Sequence, residues 1–266
     1  MIISTRDRFS FRSVFISDIH LGTRSCQAEK LLQLLRAIRT EKLYLVGDIL
    51  DIESLSSTFY WRQSHNDVIR TILGMAKHGT RVTYIPGNHD VLFREYCGLN
   101  FGKVTIRRTC TYKTVKGKRY LVTHGDDHDA RMTTSIWLAK LGTFSYRSIM
   151  TWNTRINWLR ARLGHSHWSL SGYVKRKSAS ARRFMQRFEI GIARAARQKG
   201  FDGVICGHIH QPADKLIDGV HYLNDGDWVE NCSIIAERLD GTMLLLNWSA
   251  CLELISNKKI EPSLAA

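Results

Sequence analysis

Short apolar runs that each end in a cluster of polar residues constrain the fold of this chain more than any other feature. Val14–Ile16, Leu43–Val46 and Val82–Ile85 have the length and composition of buried strands, and helical patterns near residues 27–39 and 67–77 separate them. This alternation is typical of an α/β layer architecture. In open α/β sheets ligands bind at the carboxyl ends of the strands, which is where these polar clusters would lie.

Later apolar runs predict the rest of the core. We expect strands near residues 103–108 and 119–123 to continue the same sheet, a strand at Val204–Cys206, and a β-meander over residues 214–248. A chain of 266 residues with 44% hydrophobic content can bury a sizeable core, so its composition argues against disorder. The sequence therefore predicts one large α/β domain, or such a domain with an insertion.

One segment holds nearly all of the net charge of +15. Residues 131–199 contain 15 Lys or Arg and one acid, Glu189, and so carry a net charge of +14. Apolar residues in this segment recur at helical spacing over 149–163 and over 184–195, and a shorter helix is predicted at 133–141. We therefore expect a basic helical cap at residues 131–200, inserted into a core formed by residues 1–130 and 201–266.

The polar clusters consist of His, Asp and Asn at short, fixed spacings. They are Asp18 and His20 in DIH, Asp48 in GDILD, Asn88 and His89 in GNHD, His124 in HGD, and His208 and His210 in GHIH. Oxygen and nitrogen donors of this kind suit borderline divalent ions such as Mn²⁺, Fe²⁺ or Zn²⁺. Two donors that are two residues apart in an extended segment face the same way, so DIH and HIH could each hold one ion.

The same clusters predict a dinuclear centre. A carboxylate such as Asp48 has two oxygens and can bridge two ions, and a pair of ions about 3.5 to 4 Å apart can clamp a phosphoryl oxygen for in-line attack. Glycines beside the donors would let backbone and ligands lie close together. They are Gly47, Gly87, Gly125 and Gly207.

Each cluster taken alone has an ordinary structural explanation. Residues 86–90, PGNHD, have the composition of a turn, and a lone histidine such as His20 is more often a surface or core residue than a metal ligand. Five such clusters, each closing a predicted strand, favour the metal site.

These blocks, in this order, resemble the calcineurin-like metallophosphoesterase superfamily over the whole chain apart from the cap. The resemblance implies a four-layer αββα sandwich with two divalent metal ions, of which Mn²⁺ is the expected species and Fe²⁺ or Zn²⁺ the alternatives. It implies that the first ion is held by Asp18, His20, Asp48 and His210, and the second by Asp48, Asn88, His124 and His208. It also implies that His89 contacts the scissile phosphate or protonates the leaving oxygen, with Asp90 orienting it.

Two features resemble one family within this superfamily, the UDP-2,3-diacylglucosamine diphosphatases of lipid A biosynthesis. They are the basic helical insertion and the sequence NDGDWVEN at residues 224–231. Members of that family hydrolyse a nucleotide-linked pyrophosphate and release UMP and a lipid phosphate. Well-known members carry Arg and Glu where this chain has His89 and Asp51, so the resemblance implies phosphoester or pyrophosphate hydrolysis and leaves the exact substrate open.

The cap has three interpretations. It could be a solvated helical surface with its own core, an acyl-chain groove whose basic residues bind anionic headgroups, or a surface for the phosphate backbone of nucleic acid. We favour the lipid interpretation, because the helices carry apolar stripes that include Trp152. Candidate substrate contacts in and beside the cap are Asp127, His128, Arg131, Lys175, Arg176 and Lys177.

Sequence features also predict a compartment and partners. No run approaches 18 apolar residues, the N-terminus lacks the apolar region of a secretory signal, and the six cysteines form no CxxC pair. We therefore expect a cytoplasmic protein with reduced thiols, held peripherally at the inner face of a membrane by an anionic surface. The expected substrate is an acylated nucleotide-sugar or another phosphoester. The alternatives are a nuclease and a non-enzymatic scaffold.

Overall fold

The structure is a computed structural model that describes residues 9–128, 162 and 178–256. Within these ranges the strands are β1 (Phe9–Ile16), β2 (Ile38–Val46), β3 (Arg81–Ile85), β4 (Asn100–Phe101), β5 (Val104–Ile106), β6 (Cys110–Lys113), β7 (Arg119–Val122), β8 (Gly203–Cys206), β9 (Ala213–Ile217), β10 (Val220–Asn224), β11 (Ser233–Glu237) and β12 (Met243–Asn247). The helices are α1 (Ala28–Ala37), α2 (Ile52–Ser57), α3 (Gln63–Lys77), α4 (Ala179–Gln198) and α5 (Trp248–Ser256), and a 3₁₀ helix spans Val91–Tyr96.

The chain divides into two compact units. The first comprises residues 1–125 and 193–266, and the second comprises residues 126–192. In its described part the second unit contains the beginning of α4, where Ser178 Oγ accepts a hydrogen bond from the amide of Ala181 at 3.2 Å, as an N-cap residue does. The helices predicted at 133–141 and 149–163 lie outside the described residues, apart from residue 162.

The first unit contains two β-sheets. The larger sheet has the order β12-β11-β1-β2-β3-β5-β4, with β1, β2, β3 and β5 parallel, and the smaller has the order β6-β7-β8-β10-β9, with β7, β8 and β10 parallel. In the larger sheet β1 also pairs with β11, so that Ser13 lies opposite Glu237. The carboxyl ends of three parallel strands in the larger sheet and two in the smaller sheet therefore carry the loops that contain the five polar clusters.

The two sheets pack face to face. Their shared core contains Phe15 and Ile85 from the larger sheet and Ile205 and Leu223 from the smaller one. Side chains alternate along β2, so Val46 faces this core while Leu45 packs with α1 and α3 on the other side. Burial on both faces explains why the strands read as continuous apolar runs in the sequence.

Helix α3 illustrates how the outer layer forms. Val68, Ile72 and Ala76 recur every four residues and are buried, while Leu73 on another face is exposed. The helix ends before Gly79, whose φ of 115° is readily available to glycine. The predicted helix near 67–77 is confirmed, and it begins four residues earlier than expected.

The fold class is confirmed, since the structure is mixed α/β with two sheets and helices. Three details of the prediction are wrong. The helix expected to reach Arg39 ends at Ala37 because β2 begins at Ile38, the strand near 119–123 joins the smaller sheet, and residues 214–248 form two hairpins in different sheets rather than one meander. All six cysteines are free, as expected. In the portion of the chain that the structure describes, no helix is long and apolar enough to span a bilayer.

Candidate metal centre

The loops after β1, β2, β3, β7 and β8 bring the predicted ligands together. Contacts join the loops of the two sheets, because His124 Nδ1 lies 2.9 Å from the carbonyl oxygen of Val46 and the amide of His208 donates to Asp18 Oδ2 at 2.9 Å. The site is therefore assembled from both sheets of the first unit.

Three of the predicted ligands form one group of donors. His210 Nε2 lies 3.2 Å and His20 Nε2 lies 3.9 Å from Asp18 Oδ1. The two imidazole rings stack with their centroids 5.2 Å apart and a 20° angle between planes, so both Nε2 atoms face the same carboxylate. The ligand atoms of these residues lie within 4.8 Å of one another, close enough to hold one ion.

Asp48 lies between this group and the remaining ligands. Its Oδ2 is 3.3 Å from His124 Nε2 and 4.0 Å from His20 Nε2, while its Oδ1 accepts a hydrogen bond from the amide of His89 at 2.8 Å. Since Oδ1 is engaged by the backbone, Oδ2 alone faces both groups of donors. The sequence predicts that Asp48 bridges two ions, and these contacts favour Oδ2 as the oxygen that would be shared.

A second group of donors surrounds His124. Asn88 Oδ1 lies 3.3 Å from His124 Nε2, and the ring of His208 lies edge-on to the ring of His124 with centroids 5.1 Å apart. Because the Val46 carbonyl accepts from His124 Nδ1, Nε2 is the nitrogen that faces Asp48 and Asn88 and could bind an ion.

The donor set fits a pair of divalent ions. His20 Nε2 is buried and has no hydrogen-bond partner among the described residues, a situation that costs about 1 to 3 kcal/mol. Its distances of 3.9 and 4.0 Å to the carboxylates of Asp18 and Asp48 are too long for hydrogen bonds. They are close to the separation of about 3 to 4 Å expected for two ligand atoms that share one ion.

An unusual backbone conformation positions five of the seven predicted ligands. Seven described non-glycine residues have a positive φ, and five of them are Asp18 (49°), His20 (52°), Asp48 (53°), His208 (71°) and His210 (52°). The expectation of extended DIH and HIH segments is therefore wrong, because left-handed residues turn these donors toward one point. Such residues cost about 1 to 3 kcal/mol each and concentrate at functional sites.

Glycines create the space that the ligands occupy. A Cβ on Gly87 would overlap the Asp48 carboxylate, and a Cβ on Gly207 would overlap Ser17 and Asp18. A Cβ on Gly47 would overlap the ring of His124. The predicted crowding of ligands against glycine backbone is confirmed at these three positions.

His89 lies beside the two groups of donors with 18% of its side chain exposed. Its ring is edge-on to that of His20, with centroids 4.8 Å apart, and its Nδ1 lies 3.3 Å from Asp51 Oδ2. Burial lowers the pKa of His89, but the carboxylates of Asp51 and Asp48 outweigh this effect and raise it above the usual value. A positively charged or proton-donating imidazole thus faces the site.

Asp90 has a different role from the one expected. Its carboxylate accepts hydrogen bonds from the amides of Gly87 at 2.5 Å and Ile49 at 2.8 Å and from the hydroxyl of Tyr84 at 2.5 Å. These donors occupy both oxygens, and the carboxylate nearest His89 Nδ1 is that of Asp51. The prediction that Asp90 orients His89 is corrected: Asp90 holds the turn, and Asp51 contacts the imidazole.

Two functional candidates were missed at the sequence level. The sequence marks Asp51 only as a departure from a family pattern, yet its Oδ2 lies 3.1 Å from His20 Nδ1 and 3.3 Å from His89 Nδ1. Asp227 Oδ2 lies 3.3 Å from His210 Nδ1. A signal for Asp227 was present, because it follows β10, which is parallel to β8 and ends at the same edge of the sheet.

The predicted substrate contacts remain predictions. Asp127 and His128 belong to the second unit, and Arg131 and Lys175–Lys177 lie outside the described residues.

Comparison with known proteins gives a family match and distant relatives. The family model described as calcineurin-like phosphoesterase matches residues 11–212. Two curated relatives are named UDP-2,3-diacylglucosamine hydrolase: one from Blochmanniella pennsylvanica is 28% identical over 42% of this chain and 46% of its own length, and one from Histophilus somni is 30% identical over 43% and 49%. The chain thus spans about half the length of these curated relatives. A solved structure of a hypothetical protein from Pyrococcus horikoshii is 12% identical, covers 95% of both chains and has a TM-score of 0.46.

Proposed function

We propose, on the basis that this chain belongs to the calcineurin-like phosphoesterase family, that it is a two-metal phosphohydrolase. The observation that carries the proposal is the pair of donor groups on either side of Asp48 Oδ2. One ion would be held by Asp18, His20, Asp48 and His210, and the other by Asp48, Asn88, His124 and His208. Two such ions would supply Lewis-acid activation of a phosphoryl group.

The residues of the chain would position the substrate and move a proton. Asp51 Oδ2 lies 3.3 Å from Nδ1 of His89, so Nε2 would be the nitrogen that meets the substrate. From there His89 would donate a hydrogen bond to a phosphate oxygen or a proton to the leaving oxygen. Proton transfer of this kind contributes about 10²- to 10⁴-fold in rate.

The substrate that we propose is the pyrophosphate of UDP-2,3-diacylglucosamine or a similar nucleotide- or lipid-linked phosphoester. Support comes from the names of the two curated relatives and from the basic segment at residues 131–199. That segment would bind an anionic headgroup or hold the protein at an anionic membrane surface. Mn²⁺ is the proposed ion, with Fe²⁺ or Zn²⁺ as alternatives, and the proposed location is cytoplasmic.

Nucleic acid is the second candidate substrate, because a net charge of +14 in one segment also suits a phosphate backbone. Salt separates the two proposals. Affinity for nucleic acid should fall steeply between 50 and 200 mM salt, by about 10³-fold if six phosphates are contacted, whereas turnover of a lipid substrate should depend on acyl length and detergent.

The decisive experiment measures turnover by the Mn²⁺-loaded protein. UDP-2,3-diacylglucosamine, a simple phosphodiester and single-stranded DNA would be compared as substrates. We expect UMP release that is lost in Asp48→Asn, which neutralises the shared carboxylate, and retained in Asp240→Asn, which makes the same change at an exposed turn. Wild-type rates in Asp48→Asn would contradict the two-metal assignment, and cleavage of DNA alone would contradict the lipid substrate.

A further inference from the structure

His210 is held on both sides of its imidazole by carboxylates. Its Nε2 lies 3.2 Å from Asp18 Oδ1, inside the candidate metal centre, and its Nδ1 lies 3.3 Å from Asp227 Oδ2, on the outer side. Asp18 and Asp227 are both fully buried. An imidazole that binds a metal through Nε2 must carry its proton on Nδ1, so the group that faces Nδ1 decides which nitrogen is available.

Asp227 is itself fixed by hydrogen bonds in the turn that follows β10. Its Oδ1 accepts from the amides of Val229 at 2.9 Å, Glu230 at 2.6 Å and Asn231 at 3.0 Å. Its Oδ2 accepts from Asn231 Nδ2 at 2.7 Å. Four donors favour the ionised carboxylate, which can only accept a hydrogen bond from His210.

The same turn also holds the backbone of the donor group. Asn231 Nδ2 donates to the carbonyl oxygen of His210 at 3.2 Å, and the amide of Trp228 donates to the carbonyl oxygen of Asp18 at 3.0 Å. Both contacted residues have a positive φ, so the turn supports ligands whose backbone conformation is costly. Trp228 is fully buried and provides a rigid base for these contacts.

In the second donor group the contact on the Nδ1 side of His124 is with a backbone carbonyl. His124 Nδ1 lies against the neutral carbonyl of Val46, whereas His210 and His20 lie against Asp227 and Asp51. A carboxylate partner raises the basicity of a ligating imidazole more than a neutral carbonyl does.

We propose that Asp227 is a positioning residue that keeps the proton of His210 on Nδ1 and so makes Nε2 a ligand for the first ion. The proposal rests on the two-metal function proposed above and assigns to one carboxylate, Asp227, a part in binding the first ion. It also explains why the carboxylate of Asp227 is buried in the turn after β10, although this turn contains none of the proposed ligands.

Asp227→Asn tests the proposal with little change of shape. The amide oxygen can still accept from the three backbone amides, but the NH₂ group loses the hydrogen bond from Asn231 Nδ2, faces His210 Nδ1 and donates to it. The proton of the imidazole then moves to Nε2, which can no longer bind an ion. We expect affinity for one of the two Mn²⁺ ions to fall by about 10- to 100-fold, as for other partners of metal-ligating histidines.

The experiment measures Mn²⁺ binding by chelator competition and records the EPR spectrum of the loaded protein. For the wild type and for the control Asp240→Asn, we expect two tightly bound Mn²⁺ ions and a spin-coupled spectrum. For Asp227→Asn, we expect one tightly bound Mn²⁺ ion and an uncoupled spectrum. Two tight ions in Asp227→Asn would overturn the proposal. Equal weakening of both ions, with a metal-free form that unfolds at lower urea, would also overturn it, because the residue would then act only on the fold.

A measurement on the unmodified protein covers the case in which the variant does not fold. Nitrogen-15 NMR of histidine in the Zn²⁺-loaded protein reports which ring nitrogen carries the proton. We expect His210 to be protonated on Nδ1, and protonation on Nε2 would overturn the proposal. If the wild-type protein binds only one ion, the proposed two-metal function is contradicted. That result is distinct from the outcomes that overturn the role of Asp227, because it is seen without any substitution.

Discussion

Asp51 is a single residue that contacts two imidazoles through one oxygen. Its Oδ2 lies near Nδ1 of His20, a proposed metal ligand, and near Nδ1 of His89, which faces the proposed substrate position. Its Oδ1 accepts from the amide of Ser54 and so caps α2. The orientation of His89 is therefore tied to the same side chain that orients a ligand.

His89→Asn should lower kcat by about 10²- to 10⁴-fold while both ions stay bound, if His89 has the proposed role of moving a proton and is not a metal ligand. The measurement pairs steady-state kinetics with metal analysis of the purified variant. Loss of one ion from His89→Asn would show that His89 is a ligand, and unchanged kcat would remove it from the mechanism.

Gly87→Ala and Gly74→Ala test whether an added Cβ is harmful only where it would overlap neighbouring atoms. A Cβ on Gly87 would overlap Asp48, so we expect loss of metal and of turnover. Gly74 lies inside α3 with no atom within 4 Å of an added Cβ, so its replacement should raise the free energy of unfolding by about 0.5 to 1 kcal/mol. Urea unfolding and metal analysis would check both, and equal behaviour of the two variants would contradict the expectation.

At the scale of elements, strands were predicted better than the details of the site. Val14–Ile16 and Val82–Ile85 were recognisable because burial on both faces leaves an apolar run, and Phe184 and Phe188 gave the helical spacing of α4. The sheet to which β7 belongs was not predictable, since pairing depends on contacts distant in sequence. The role of Asp51 was missed for the same reason: its contact with His89 is made by the fold and leaves no local pattern.

Helix α3 contains a histidine whose protonation should oppose folding. His65 is buried, its Nδ1 accepts from the amide of Gly22 at 3.3 Å, and its pKa is lowered mainly by burial. The unfolded chain therefore binds a proton below about pH 6.5 that the folded chain does not bind, so stability is present above that pH and falls as pH decreases.

His65→Gln keeps an acceptor and removes the titration. The difference in unfolding free energy between wild type and His65→Gln should shrink from pH 8 to pH 5.5, measured in chelator so that metal binding does not contribute. His78→Gln, at the exposed end of the same helix, makes the same substitution outside the core and is the matched control. The same slope in all three proteins would contradict the assignment.

At the scale of the whole first unit, a polar network joins the two sheets away from the metal centre. Glu237 on β11 is fully buried, accepts from Arg12 Nη1 at 2.7 Å and from the amide of Val115 at 2.9 Å, and contacts the hydroxyl of Tyr112 on β6. Glu237 belongs to the larger sheet, and Tyr112 belongs to the smaller sheet. The sheets are thus held together by the apolar core and by one buried carboxylate.

Glu237→Gln should lower the free energy of unfolding by about 3 kcal/mol, because it leaves a partly buried arginine without its carboxylate. Urea unfolding in chelator measures the change. Asp240→Asn removes an exposed carboxylate that lies 4.0 Å from Arg238, and it should cost less than about 1 kcal/mol. Equal effects of the two substitutions would show that the network does not stabilise the packing of the sheets.

The position of β1 between β2 and β11 has a consequence for how the protein folds. One edge of β1 can pair soon after β2 is synthesised, but its other edge needs residues 233–237, more than 200 positions later. Contacts so distant in sequence slow folding, and an unpaired strand edge favours aggregation while it is exposed. On the ribosome, this interior strand of the larger sheet would therefore stay half-paired until almost the whole polypeptide is made, which makes protection by a chaperone during translation valuable for this chain.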